Sequence, residues 1–481
     1  MQRLETFVHG ALAAALCLPA VSCAQAPGTG TPSSTAAPAG TDAAPARAWN
    51  FLIYAAIDND AEEDGNFFEF LDGVRAAHAD DPQVDVLLFA DRSEGYSTNS
   101  SSLGEDFTGA RLYRVRAGAS ERLAGGAEFP EIARDGEFEP DSADPQNVRS
   151  FLAWARANHP ARHTALMLYG HADGRAMCPD EDTRHEMGFA QLTDVVPAEL
   201  SVDLMALELC SMGGVEVGYQ WRPGNGGFST RYLVAIPNAG PPLDWARVFA
   251  RLRSGAPGGD TLDPATLTPE RFGALIVEEG GNGRVALAER VPELAEMLSA
   301  EAVGCYDLAR AGTLKAAVDA LAAQLARDDA RDSFESLVRG PGPDGLVLNY
   351  AHDVLFRDPF VDLHDLAVRA AACDALSAEA QDAAAAVARS VNDFVLASWG
   401  GASLPRFVPG ASGVYVTCPV ETAGGWSRCN WYSPASVPLV YGRMAWCRDG
   451  AVPGDGIVQN WFELFDAWLD APGGGVNDYA Y

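Results

Sequence analysis

Trp49 to Ile57 (WNFLIYAAI) is a near-continuous apolar run that stops at Asp58-Asn59-Asp60. A short run that is apolar at every position, not at alternate ones, predicts a strand covered on both faces, as in a parallel sheet. The same pattern returns at Val84–Ala90, stopping at Asp91-Arg92, and at Thr164–Tyr169, stopping at Gly170-His171. It appears again at Val202–Leu209, stopping at Cys210, and at Tyr232–Ile236. Helical spacing lies between these runs, around Phe67–His78, from Asp144-Pro145 through Ala157, and over Gly213–Gln220. Residues 93–120 read as a loop with a short hairpin around Tyr113–Val115, and residues 172–200 read as a polar loop. Strands alternating with helices predict an α/β fold with a mostly parallel sheet.

Beyond about residue 255 the pattern turns helical. Thr268-Pro269-Glu270 has an N-cap threonine and a proline at the first helical position, leading into Arg271–Glu279. Ala-rich helical patterns cover 292–303, 314–327 and 377–398, with a turn-rich break at Gly340–Gly345. Gly413–Cys418 reads as a strand and Trp461–Leu469 as a final helix. The expected organisation is an α/β domain over 49–255 and a mainly helical accessory region over 256–481 that returns strands to the sheet edge. No stretch after the first few dozen residues is long and apolar enough to span a membrane, and nothing repeats at a fixed period.

The first 23 residues read as an export signal: Arg3, an apolar run from Ala11 to Ala20, then Val21-Ser22-Cys23. Small residues before Cys23 resemble the lipobox of bacterial lipoproteins, which predicts lipidation at Cys23 and anchoring in the cell envelope. The alternative is an ordinary secretory signal cleaved after Ala24 or Ala26, giving a periplasmic or secreted protein. Residues 24–48 are rich in Pro, Gly, Ala, Ser and Thr and predict a disordered tether.

The 481 residues carry 34 Lys+Arg against 66 Asp+Glu, a formal charge of −32. That balance excludes nucleic acid as a partner, because phosphate binding needs basic patches. Lys315 is the single lysine. Of the nine cysteines, Cys17 and Cys23 fall in the export signal, leaving 178, 210, 305, 373, 418, 429 and 447. In an oxidising compartment six of these can form three bridges, and the odd number leaves at least one thiol unpaired.

Reactive groups in open α/β sheets gather beyond the carboxyl ends of the strands. His171 and Cys210 end neighbouring strand patterns there. An imidazole beside a thiol lowers the thiol pKa and yields a thiolate nucleophile near neutral pH. The helix expected directly after Cys210 adds its dipole and free N–H groups at the same spot. A buried inert thiol and a structural histidine are the plain alternative.

The local sequence around these residues resembles a specific family. Glu208-Leu-Cys-Ser-Met-Gly-Gly-Val-Glu-Val-Gly-Tyr219 resembles the nucleophile segment of clostripain-like cysteine peptidases, D-x-C-L-M-G-M-V-E-V-A-Y. Leu168-Tyr-Gly-His171 is similar to their W/Y-G-H-G segment, and Ile53-Tyr-Ala-Ala-Ile-Asp-Asn59 to their opening strand. Weaker likeness continues through Thr268–Glu279, Val361-Asp-Leu-His364 and Gly413–Val416, so the resemblance spans roughly 49–470. It implies a caspase-like α/β/α sandwich whose catalytic domain is 49–255. It further implies Cys210 as nucleophile, His171 as general base and acid, and an oxyanion hole from the backbone N–H groups of Cys210 and Ala172.

Two residues depart from the pattern. Ala172 stands where the family has Gly, and Glu208 where it has the Asp associated with an Arg/Lys S1 pocket. The expectation from Glu208 is a preference for Arg or Lys at P1, since a carboxylate pairs bidentately with arginine. No second acidic residue for that pocket is evident, the stretch after the fifth strand reading Ile236-Pro237-Asn238. The family's habit of self-cleavage between the His and Cys segments makes Arg184 the candidate site, with Arg175 in the same loop. Cys178 there offers a bridge as another means of fixing the loop.

The acidic run Asp58–Asp64 (DNDAEED) fails the calcium-loop template, with Leu71 where Glu is needed. Acidic residues at a helix N-terminus explain it, and calcium stays only a minor cofactor expectation carried by the family. His185, His352 and His364 lack metal-ligand spacing, and Glu216 reads as structural. The functional expectation is an exported cysteine endopeptidase acting on peptide and protein substrates through an acyl-enzyme. Its rival is a catalytically silent surface lipoprotein that keeps the fold as a binding module. An acyl-transfer ligase shares the same intermediate.

Overall fold

The computed structural model describes residues 47–78, 80–174, 176–255, 258–340, 347–350, 360–420, 441–452 and 454–469. The export signal, the tether up to residue 46, Cys23, Arg175, His352 and Cys429 lie outside the described residues; Arg47 and Ala48, expected in the tether, already belong to the first strand. The strands are β1 (Arg47–Ile57), β2 (Val84–Arg92), β3 (Gly109–Arg114), β4 (Glu121–Leu123), β5 (Ala161–Tyr169), β6 (Ala176–Met177) and β7 (Met187–Gly188). They continue as β8 (Val202–Glu208), β9 (Thr230–Ala235), β10 (Ala302–Asp307), β11 (Phe360–Asp362), β12 (Val395–Gly400) and β13 (Tyr415–Thr417).

Nine strands form one sheet in the order β12-β10-β9-β8-β5-β1-β2-β3-β4. The five central strands, β9 to β2, are parallel, and antiparallel strands close both edges. β1 shows why its sequence is apolar throughout. Leu52, Tyr54 and Ala56 enter one hydrophobic core, while Phe51, Ile53, Ala55 and Ile57 enter the other. The first core is covered by helices Pro145–Asn158, Val215–Gln220, Ala311–Arg327, Ala378–Phe394 and Trp461–Leu469. The second is covered by Glu69–His78, Trp245–Ala250 and Pro269–Arg290. The molecule is therefore the three-layer α/β/α sandwich that the resemblance implies.

Local chemistry fixes the helix starts. Asp144 accepts from the Gln146 N–H ahead of Pro145, Thr268 from Arg271 ahead of Pro269, and Ser377 from Ala380. A side-chain oxygen at the N-cap satisfies a donor that the helix itself cannot, and proline at the first position gives up no helical bond.

Three expectations change. Residues 172–200 are not an unstructured loop: β6 and β7 pair as a short hairpin, and a helix runs from Phe189 to Val195. The stretch 292–303 is helical only to Ser299 and then enters β10, and 377–398 ends as a helix at Phe394 and continues as β12. Both strands join the main sheet, β10 against β9 and β12 against β10. The segment after 255 thus supplies one whole edge of the sheet.

Candidate active site

The sheet order diverges at the line between β1 and β5, with β2 beyond β1 on one side and β8 and β9 beyond β5 on the other. Crevices form outside the carboxyl ends of strands at such a point. Tyr169 of β5 pairs in register with Glu208 of β8, and Ala55 of β1 with Tyr169. His171 and Cys210 each lie two residues past that Tyr169–Glu208 pair, so the two neighbouring strands deliver them at the same level of the sheet. The stretch following β1 brings Asp60 to His171.

His171 is held from several sides. Gly170, at φ +148°, passes so close to β1 that a Cβ there would stand 2.6 Å from the Ala56 carbonyl oxygen. The His171 carbonyl accepts from Cys178 N–H at 2.9 Å, and Asp173 N–H donates to Ala176 at 3.2 Å. Ala172 faces Met177 in the resulting bridge. Because the bonds of that bridge come from residues 171 and 173, the N–H of Ala172 itself turns away from Met177. The ring is half-buried, and its Nε2 lies 2.7 Å from Oδ1 of Asp60.

Asp60 is the residue the sequence pattern did not single out. It opens a single turn, Asp60–Glu62, capped by Asn59, whose side chain accepts from Ala61 N–H and donates to the Pro179 carbonyl at 2.9 Å. The acidic run is thereby divided. Asp60 faces His171, and Glu62 is fully buried in an ion pair with Arg92 at 2.5 Å.

Cys210 is half-buried and follows β8 directly. Ser211 adopts φ +58°, a left-handed turn uncommon outside glycine. The chain is held in it by bonds from Ser211 N–H to Asn238, and from Met212 and Gly213 N–H to Ile236, each 2.9 Å. The Tyr415 hydroxyl donates to the Ser211 carbonyl at 2.7 Å. This corrects one expectation. The following helix, Val215–Gln220, begins five residues after Cys210, and the intervening amides of 211–213 are committed to the loop after β9. Helix-terminal N–H groups therefore do not surround the thiol.

Glu208 lies on the opposite pleat from Leu207, almost fully buried. Its oxygens accept from Trp245 Nε1 at 2.7 Å and from Leu243 N–H at 3.0 Å. Burial pushes its carboxyl up to about 7, against those two bonds and the attraction of Arg284. Arg284 pairs at 2.5 Å with Glu301, another buried carboxyl, which burial also raises to about 7. A second acidic residue therefore does approach the region beside Asn238. It comes from Glu301 at the start of β10, about 90 residues further along the chain, a separation no local motif reveals.

Arg184 is exposed, with φ +61°, in the connection between β6 and β7, and its N–H donates to Asp180. Cys178 is a free, fully buried thiol whose pKa burial pushes up to about 12, so packing and not a bridge fixes this segment. Cys305, Cys373 and Cys418 are also free thiols, so three bridges do not form. Glu216 is buried and accepts from Thr417 N–H at 2.7 Å, the structural duty expected of it. His185 pairs with Asp141 at 2.5 Å on the surface, and burial lowers the His364 pKa. Among the described residues, the carboxylates of Asp58, Glu139 and Asp182 approach one another closely enough to hold a cation, their oxygens lying within 4.8 Å.

The chain matches the clostripain family over residues 53–466. It is 30% identical to clostripain of Hathewaya histolytica over 482 residues, covering 89% of each chain. Among solved structures it resembles an inactive zymogen C11 protease from Parabacteroides distasonis, with TM-score 0.54, 15% identity, and 84% of this chain and 98% of that one covered. It also resembles a secreted C11 cysteine protease from Bacteroides thetaiotaomicron, solved with an irreversible peptide inhibitor. There the TM-score is 0.51, the identity 15%, and the coverage 83% and 98%. The chain belongs to the clostripain family of cysteine endopeptidases.

Proposed function

We propose that this family member is an active, exported endopeptidase that works through a Cys210–His171 dyad and an acyl-enzyme. The observation that carries this reading is the delivery of both residues to one level of adjacent strand ends, with Asp60 2.7 Å from His171 Nε2. Asp60 accepts the Nε2 proton, which leaves Nδ1 as the base directed at the thiol. The Cys210 thiolate attacks the scissile carbonyl carbon. The oxyanion is received by backbone N–H groups of Cys210 and Ala172, and His171 passes the thiol proton to the leaving amine. His171 then takes a proton from water, which attacks the thioester and frees the thiolate. The silent binding module is not favoured by the family match.

For P1 the reading is arginine or lysine. Glu208 and Glu301 face one internal cation, Arg284, so the wall carries an excess carboxylate when both are ionised. Each Glu208 oxygen accepts one hydrogen bond and has lone-pair capacity for a second. Because its carboxyl titrates near 7, acid removes the attracting charge. The kcat/KM ratio of a P1-Arg over a P1-norleucine peptide is therefore expected to fall about tenfold between about pH 8 and pH 6. Glu208→Gln should flatten that slope; an equally steep slope in the variant removes Glu208 from the pocket.

Export rests on the apolar N-terminal segment, with Cys23 as the lipid anchor. Among the described residues no helix is long and apolar enough to cross a membrane. Self-cleavage after Arg184 is supported by its exposure and by its place between the His and Cys segments. Purified wild type should then run as two fragments with a new N-terminus at His185, and Cys210→Ala as one chain. N-terminal sequencing decides this, and a fully active single chain contradicts it.

The experiment for the reaction is hydrolysis of a fluorogenic peptide panel varied only at P1. Turnover highest for Arg is expected. No turnover, even after limited proteolysis and added calcium, would return the silent module to favour.

A further inference from the structure

Tyr415 lies 204 residues beyond Ser211 in the chain, yet β13 runs beside the turn that carries Ser211. Tyr415 N–H donates to the Gly213 carbonyl at 3.0 Å, and the residue forms a parallel bridge with Gly214. Two positions later, Thr417 N–H donates to Glu216 Oε1 at 2.7 Å. On its other side β13 pairs with β11, and the Tyr415 ring stacks on Phe360 with centroids 4.2 Å apart. Backbone and ring are thus seated by contacts of their own. The phenolic oxygen reaches beyond them, to the Ser211 carbonyl at 2.7 Å.

Ser211 is the residue whose conformation needs holding. At φ +58° its Cβ crowds the backbone, a strain that persists only where the surroundings fix it. Both peptide planes that meet at Ser211 are gripped. The plane shared with Cys210 is held by Ser211 N–H on the Asn238 carbonyl at 2.9 Å. The plane shared with Met212 is held at both edges, by Met212 N–H on Ile236 and by its carbonyl on the Tyr415 hydroxyl. Relaxing Ser211 towards the right-handed region would swing the Cys210–Ser211 peptide, and with it the Cys210 side chain. The loop that bears the base meets the same two atoms. Gly174, three residues past His171 at φ +80°, passes so close that a Cβ there would stand 2.9 Å from the Ser211 carbonyl oxygen and 3.1 Å from the Tyr415 hydroxyl.

We propose that Tyr415 is a positioning residue for the nucleophile, its hydroxyl holding the Ser211 turn so that Cys210 stands within reach of His171. The proposal rests on the Cys210–His171 reading of the site. Tyr415 touches no reacting atom and acts through Ser211. The segment after residue 255 then completes the active site as well as one edge of the sheet.

The test compares Tyr415→Phe with the parent protein and with Tyr350→Phe. Phenylalanine at 415 keeps the ring, its stacking on Phe360 and every backbone bond, so only the contact to Ser211 is lost. Tyr350 is a buried tyrosine whose hydroxyl donates to Asp362 and accepts from Gly413 N–H, so its variant reports general loosening of the same segment. The readouts are kcat and KM for a peptidyl-Arg substrate, the melting temperature, and the rate at which iodoacetamide labels Cys210, located by peptide mapping. Activity and labelling are measured well below the lowest melting temperature. Iodoacetamide needs no substrate pocket, so its rate follows the thiolate alone. Tyr415→Phe should lower kcat about 10- to 30-fold with KM within about twofold, slow Cys210 labelling about tenfold near pH 7, and lower the melting temperature by no more than about 3 °C. Tyr350→Phe should melt below the parent yet keep its kcat and labelling rate. Parent-like kcat and labelling in Tyr415→Phe would overturn the assignment, and so would an equal loss in Tyr350→Phe. Failure of the dyad itself has a separate signature. Cys210 of the parent would then label no faster than the partly exposed Cys373, and Cys210→Ala would keep full activity, which overturns both readings together.

Discussion

Cys210→Ala is expected to lower kcat for a peptidyl-Arg substrate by about 10⁴-fold or more while leaving the melting temperature within about 1–2 °C of wild type. The size follows from the chemistry. Removing the nucleophile forbids the acyl-enzyme altogether and leaves only binding and backbone electrostatics to assist water. The small structural effect follows from the position. Cys210 is half-buried at a strand end, and the turn after it is fixed by backbone bonds from residues 211–213 to 236 and 238, which the substitution does not touch. His171→Ala should lose a similar amount, and the double variant little more than either single one, because base and nucleophile act as a unit. Pre-steady-state kinetics of an ester substrate provides the check: wild type should show a burst of first product and Cys210→Ala none. Strictly additive losses would mean that the two residues do not share a step.

Asp60→Asn is the second large effect, an expected fall in kcat of about 10² to 10³-fold with KM nearly unchanged. The amide keeps the size and a hydrogen bond to Nε2, but it does not stabilise the imidazolium that forms when His171 holds the thiol proton. It also permits the other tautomer, which turns Nδ1 from acceptor into donor. A merely structural role for Asp60 predicts something else, namely a lowered melting temperature and a raised KM. The split between kcat and KM separates the two readings, a loss confined to kcat marking a role in the reaction. Asp60→Glu should recover part of the rate. A wild-type kcat in Asp60→Asn would remove Asp60 from the site.

The centre of the fold was legible because its strands are covered on both faces. β1, β2, β5, β8 and β9 show continuous apolar runs, and their ends mark where His171 and Cys210 stand. β10 and β12 were hidden for a physical reason. Each is six residues long; β12 follows directly on the Ala-rich helix Ala378–Phe394, β10 comes two residues after the helix Ala295–Ser299, and no glycine or proline separates helix from strand. Composition there favours helix, and only pairing against β9 and against each other makes these segments extended. The β6–β7 hairpin has two residues per strand, too few for any periodicity. In the site, Cys210 and His171 were visible as a thiol and an imidazole at strand ends, whereas Asp60 was not. An acidic residue in a first helical turn has an ordinary explanation in the helix dipole, and only the 2.7 Å contact with His171 distinguishes this one. Glu301 and Arg284 were invisible for a different reason: they pair with each other, and Arg284 acts on Glu208, only through tertiary packing of distant segments. The helix after Cys210 was placed too early because nothing in Ser211-Met212-Gly213 signals that its amides bond to the loop after β9.

The most direct test is covalent titration of the intact protein with a peptidyl-arginine electrophile, followed by peptide mapping. The account predicts one equivalent bound per chain, confined to Cys210, with the rate of labelling falling steeply in His171→Ala and Asp60→Asn. Cys178, Cys305 and Cys418 should remain unlabelled, their thiols buried and held protonated. Slow, scattered labelling that includes the partly exposed Cys373, at a rate indifferent to His171, would contradict the account.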